Sequence, residues 1–132
     1  MLAKISDIIT WYNGNAQKAT IDMILAAKDR LVTLNYNLGE MLADSQTEFN
    51  KKYFIRRISI AKKEAYHIQQ GEAISKAKTV AVSECEFEFK EELDAESYAN
   101  KVEILLRQSN RVVDAMQQRI SVLKKEYPET HQ

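Results

Sequence analysis

Glu64 and His67 stand as E-x-x-H, half of what a di-iron helical bundle uses to ligate metal from one helix. Such a site needs a second copy of the motif and further carboxylates on facing helices, and the only other histidine is His131, beside the C-terminus. No metal is expected. Cys85 is the single cysteine, which excludes an internal disulfide and a multi-cysteine zinc site and suits a reducing compartment. Its neighbours Glu84 and Glu86 disfavour a nucleophilic thiolate, so it reads as a small apolar residue. The chain has no G-x-x-x-x-G-K-[ST], no G-x-G-x-x-G and no G-x-S-x-G, so nucleotide cradling and the common nucleophile elbow have no support. The expectation is a non-enzymatic protein without a cofactor.

A different chemistry is offered by residues 51–63, KKYFIRRISIAKK, which carry six cations, no acid, and Tyr53 and Phe54 between them. Lys51, Lys52, Arg56, Arg57, Lys62 and Lys63 could contact phosphates while Tyr53 stacks a base. The alternative is that acids elsewhere in the chain answer these cations. Lysine plus arginine equals aspartate plus glutamate at 19 each, so no net field steers the whole protein to nucleic acid or an anionic membrane. Any electrostatic role is local.

The elements that must position these residues are helical. Three glycines and one proline in 132 residues leave little punctuation for a β-sandwich, and no apolar run approaches a membrane span. The opening, MLAKISDIITWY, lacks the cleavage site of a signal peptide. One domain over 1–126 is expected, followed by a disordered tail at 127–132. Ile5, Ile8, Ile9 and Tyr12 predict a short amphipathic helix, 3–13, ended by Gly14 and Asn15, with Trp11 packing or recognising something at its end. Ile24, Ala27, Leu31, Leu34, Leu38 and Met41 predict a helix over 16–43. Gly39 and the capping residues of DSQTEFN, 44–50, predict a bend or turn. A third helix, 48–70, has a narrow apolar seam of Phe54, Ile58, Ala61, Ala65 and Ile68, with the cations on a different side. QQG at 69–71 is its C-cap, and a helix over 72–92 follows.

Within that helix Cys85, Phe87 and Phe89 alternate with Glu84, Glu86 and Glu88, the pattern of a strand. No second strand is available to pair with it, so the segment reads as helix with a local irregularity. Residues 84–96 carry seven acids against Lys90 alone. If the chain folds back near residue 71 as an antiparallel hairpin, residue n faces roughly 142 − n, and the acidic block meets the basic one. The preferred reading is therefore that the cations are matched internally. Such pairs set alignment more than stability, because exposed ion pairs contribute only about 0–1 kcal/mol each.

The last helix, 94–126, has a wide apolar face. Tyr98, Val102, Leu105, Leu106, Val112, Val113, Met116, Ile120 and Leu123 lie on it, with Ser109 the one small polar residue in the seam. The face over 95–123, about 45 Å long, is longer than one 24-residue helix can cover, so these residues are expected to form an oligomer interface.

The runs VVDAMQQRISVLKKE, GEAISKAK and KKYFIRRISIAKK resemble those of small uncharacterised helical proteins encoded in tailed-phage genomes. The resemblance spans most of 47–126 and implies a bacterial host cytoplasm; it brings no catalytic residues. The sequence thus predicts an all-α protein, an elongated helical bundle or coiled coil with an antiparallel hairpin near residue 71 and a long C-terminal helix. It is expected to act by protein–protein binding as a homo-oligomer, with a host or phage protein as a further partner and a host-takeover or anti-defence role open. The alternative is an accessory protein of phage recombination or replication that binds nucleic acid through 51–63.

A far-ultraviolet circular dichroism spectrum dominated by helix is expected. Strand content above about a quarter of residues, the usual level in mixed domains, would contradict the fold class.

Overall fold

Thr20 starts the long helix that organises the chain. Its hydroxyl accepts a hydrogen bond from the Met23 N–H at 3.2 Å, and Asp22 sits in the first turn, where the helix dipole favours a carboxylate. The computed structural model describes residues 1–126, and the expected tail at 127–132 lies outside them. The fold is all-α, as the sequence predicts: α1 (Leu2–Asn15), α2 (Ile21–Gln69), α3 (Ile74–Glu84) and α4 (Glu86–Glu126) hold 91% of the described residues, and none of these is in a strand. Contacts group the described residues into two compact units, Met1–Met41 with residues 102–126, and Leu42–Lys101. Helices α2 and α4 contribute to both.

In the first unit, α1 and residues 21–41 of α2 cover the C-terminal part of α4. Ile24, Leu31 and Leu38 are fully buried at intervals of seven, as are Val102, Ser109 and Met116. Ile5, Ile8 and Tyr12 close the core from α1, with burial holding the Tyr12 hydroxyl protonated above its ordinary range despite Arg119 nearby. The Lys28 ammonium donates to Gln117 Oε1 at 2.5 Å, and the Asn35 amide to Asn110 Oδ1 at 3.1 Å. These pairs lie seven residues apart on each helix and fix an antiparallel register. Ser109, the polar residue of the seam, donates its hydroxyl to Asn35 Oδ1, so its burial is satisfied.

Part of the face expected to form an oligomer interface is occupied within one chain. Val102, Met116, Ile120 and Leu123 are already buried within one chain. Leu105, Leu106, Val112 and Val113 are half-buried, and only Tyr98, in the second unit, is exposed. The sequence argument matched α4 against one partner helix, whereas α1 and α2 share its apolar face.

Boundaries also differ, the second helix starting at Ile21 and not at 16. Gly14 and Asn15 lie inside α1, and Asn15 donates its amide to the Trp11 carbonyl at 2.8 Å. The turn expected at 44–50 does not form, because α2 runs unbroken through Gly39 and DSQTEFN. Inside a continuous helix the N–H groups that capping side chains would take are already bonded to carbonyls four residues back. Thr47 bonds the Ala43 carbonyl at 3.0 Å and Glu48 pairs with Lys52 at 3.7 Å, both along the helix.

The second unit is the predicted hairpin. Gly71 adopts φ 92°, and the Gly71 and Glu72 N–H groups donate to the Ile68 and His67 carbonyls at 3.0 and 3.1 Å, a Schellman termination of α2. The irregularity expected in 79–92 is a break at Cys85, with φ −104° and ψ 27°, and it is here that α3 ends and α4 begins; the boundary expected between 92 and 94 lies inside α4.

The two glycines of α2 and its cap should respond oppositely to alanine. Gly39 is helical with open space around a would-be Cβ, so Gly39→Ala is expected to stabilise by about 0.5–1 kcal/mol. Gly71→Ala forces a side chain into the left-handed region and should destabilise by about 1 kcal/mol or more. Urea unfolding followed by circular dichroism measures both.

Candidate interaction surface of the helical hairpin

The hairpin brings the basic and acidic blocks together, but only in part. Arg56 makes a bidentate contact with Glu92, through Nε to one carboxylate oxygen and through Nη2 to the other at 3.4 Å. Glu92 is only 6% exposed. The hydrogen bond to Glu92 raises the Arg56 pKa above its already high range, so this side of the pair stays charged wherever the chain is folded. The guanidinium also lies 5.5 Å from the Tyr53 ring centre and 5.6 Å from that of Phe89. On either side, Lys52 pairs with Glu91 at 3.4 Å and Lys63 donates to the Glu84 carbonyl at 3.1 Å. His67 meets the Glu84 carboxylate.

Three of the six cations, Lys52, Arg56 and Lys63, therefore face the acidic arm. Lys51, Arg57 and Lys62 are exposed and make no ion pair among the described residues; Arg57 donates to the Tyr53 hydroxyl at 3.2 Å. Glu86, Glu88, Asp94 and Glu96 are likewise without ion pairs among the described residues. Charge blocks were legible in the sequence, whereas the individual partners depend on which residues the helix rotation turns inward.

That rotation also decides where the apolar seam goes. At 3.6 residues per turn, Phe54, Ile58, Ala61, Ala65 and Ile68 lie about 160° round the helix from Lys52, Arg56, Lys63 and His67. With the charged face turned toward the acidic arm, the seam is on the outside: Phe54 is 58% exposed, Ile58 53% and Ile68 41%. On the other arm Phe87 is 70% exposed. The buried apolar residues of this unit are Ala77, Ala81, Cys85 and Ala99, none larger than cysteine. Sequence reasoning identified the seam but did not signal that it would be left open, since periodicity is the same for a covered and an uncovered stripe.

The other candidates take structural places. His67 of the E-x-x-H is engaged by Glu84, and among the described residues no group of three or more His, Cys, Asp or Glu is placed to hold a metal ion. Cys85 is buried at the α3–α4 break, where its carbonyl accepts the Phe89 N–H at 3.0 Å and its N–H donates to the Val82 carbonyl at 3.1 Å. Trp11 is half-buried and lines a shallow depression with Ile8, Met23 and Arg30. No described helix is long and apolar enough to cross a membrane. No protein-family model, curated protein or solved structure matches the chain.

If Arg56–Glu92 aligns the hairpin, Arg56→Glu sets two carboxylates against each other in a half-buried site and should destabilise the protein by about 2–4 kcal/mol. Adding Glu92→Arg is expected to recover a substantial part of that loss, a coupling that a double-mutant cycle in urea reads directly.

Proposed function

We propose that the protein acts by binding another protein through the outer face of its hairpin, and not by catalysis. One observation carries this reading: the Leu42–Lys101 unit fully buries no apolar side chain larger than cysteine, with Phe49 and Ile60 half-buried, while it turns Phe54, Ile58, Ile68 and Phe87 outward. Fully burying a side chain of this kind is favourable by about 1.5–3 kcal/mol, so a partner that covers the stripe gains what the hairpin leaves unrealised. An exposed apolar stripe flanked by charge is the usual form of an interaction site. The resemblance to phage-encoded helical proteins supports a bacterial host cytoplasm as the setting.

Nucleic acid is the less favoured ligand of this segment. Phosphate contacts gain from releasing counterions, and Lys52, Arg56 and Lys63 would first have to leave partners within the hairpin. The open cations, Lys51, Arg57 and Lys62, border an apolar stripe instead of forming one basic face.

A photo-crosslinking phenylalanine analogue in place of Phe54 is expected to form a covalent adduct with a protein in cells, whereas the same analogue in place of the exposed Lys76 is not. Absence of an adduct from Phe54 would sink the reading. In parallel, labelled single-stranded and duplex DNA should show no sub-micromolar binding at about 150 mM salt; tight binding lost in Arg57→Ala and Lys62→Ala would favour the nucleic-acid role.

A further inference from the structure

The seam from Phe54 to Ile68 is complementary to itself in one orientation only. We propose that it is covered by the same seam of a second copy running antiparallel, with the two-fold axis passing between Ser59 and Ile60. The proposal rests on the reading that the hairpin's outer face binds protein, and it names the partner and the register.

Side-chain size gives the first argument. Spacings of four, three, four and three make the seam a coiled-coil stripe, the geometry that fits another helix. In the antiparallel register Phe54 of one copy lies opposite Ala65 of the other, and Ile58 opposite Ala61. Each layer then pairs a large residue with a small one, which fills the space between helices evenly. At the ends Lys51 lies opposite Ile68, where its aliphatic stem covers the isoleucine while the ammonium reaches water. A parallel pairing sets Phe54 against Phe54 and Ala61 and Ala65 against themselves. That crowds the Phe54 end and leaves gaps at the Ala61 and Ala65 layers.

Charge gives the second, independent argument. Arg57 and Glu64 flank the seam on the same side, and neither has an ion-pair partner among the described residues. The antiparallel register places Arg57 of each copy beside Glu64 of the other, twice by symmetry. In the parallel arrangement Arg57 would instead meet Lys62 twice, a repulsion. Size and charge therefore select the same orientation, although they involve different residues.

The seam is about 22 Å long, shorter than a standard interface requires, so the dimer should be a micromolar one. Sedimentation velocity on the purified full chain, from about 1 to 300 μM, spans that range. A concentration-dependent dimer is expected, with Phe54→Glu monomeric throughout and unchanged in helicity, since Phe54 is not part of the hairpin's interior. Arg57→Glu separates the registers by sign. In the antiparallel dimer the introduced carboxylate faces Glu64 of the other copy and should weaken association about tenfold, whereas in a parallel dimer it would meet Lys62 and strengthen it. Adding Glu64→Arg should restore the antiparallel dimer. A wild-type chain that stays monomeric, or a dimer indifferent to Phe54→Glu, overturns the proposal, as does an Arg57→Glu that associates more tightly. A monomeric wild type whose Phe54 position still crosslinks to a different protein would refute the second copy while leaving the binding reading in place.

Discussion

A rigid helix has a single rotational setting, so one buried contact fixes the direction of every other side chain on it. In the hairpin that contact is Arg56 with Glu92. Once Arg56 faces the acidic arm, Lys52, Lys63 and His67 follow it inward at helical spacing, and Phe54, Ile58 and Ile68 are turned away. The apolar seam is exposed because the charged face is paired. The chemistry left open to the protein in this region follows from that choice.

Joining the arms of a hairpin by ion pairs is a poor route to stability. Desolvating charges offsets most of their attraction, and replacing such pairs with apolar residues is often neutral or stabilising. Pairs of this kind do specify alignment, since a slip of one helical turn sets opposite Glu92, only 6% exposed, either the apolar Ile60 or Lys52, which lacks the two-pronged geometry of Arg56. The Met1–Met41 and C-terminal unit solves the same problem differently. There, large apolar residues at heptad spacing provide cohesion, and the register comes from a few polar contacts, Asn35 with Ser109 and Asn110 and Lys28 with Gln117. One pair of long helices thus buries large apolar residues in one unit, and small ones beside a row of ion pairs in the other.

The consequence is a division of roles along α2 and α4. Residues 21–41 and 102–126 bury their heptad residues Ile24, Leu31, Leu38, Val102 and Met116 within the chain, and their exposed apolar residues, Val32, Tyr36 and Ile104 among them, lie off those seams. Residues 42–101 keep the stripe that a partner would need. The proposed self-pairing follows from a property of that stripe itself, the alternation of Phe54 and Ile58 with Ala61 and Ala65, and from the opposite charges of Arg57 and Glu64 beside it.

Much of this was determined by the sequence alone. Scarce glycine and proline with three- and four-residue apolar steps dictate helices; Gly71 dictates a turn, because the left-handed conformation there suits a residue without a Cβ; and the opposed charge blocks dictate that the two arms meet. These are local or compositional signals, and local physics is enough to read them. Tertiary structure decided what local signals leave open. The capping residues of 44–50 lost to an uninterrupted hydrogen-bond ladder, as Ser45 is buried within the helix they were expected to end. The two apolar seams, 54–68 and 95–123, have the same period in the sequence, yet one is open and the other largely closed. Whether a stripe is covered depends on what distant segments bring to it: α1 and the start of α2 bring apolar side chains to α4, whereas the acidic arm brings carboxylates to α2 and draws its opposite face inward.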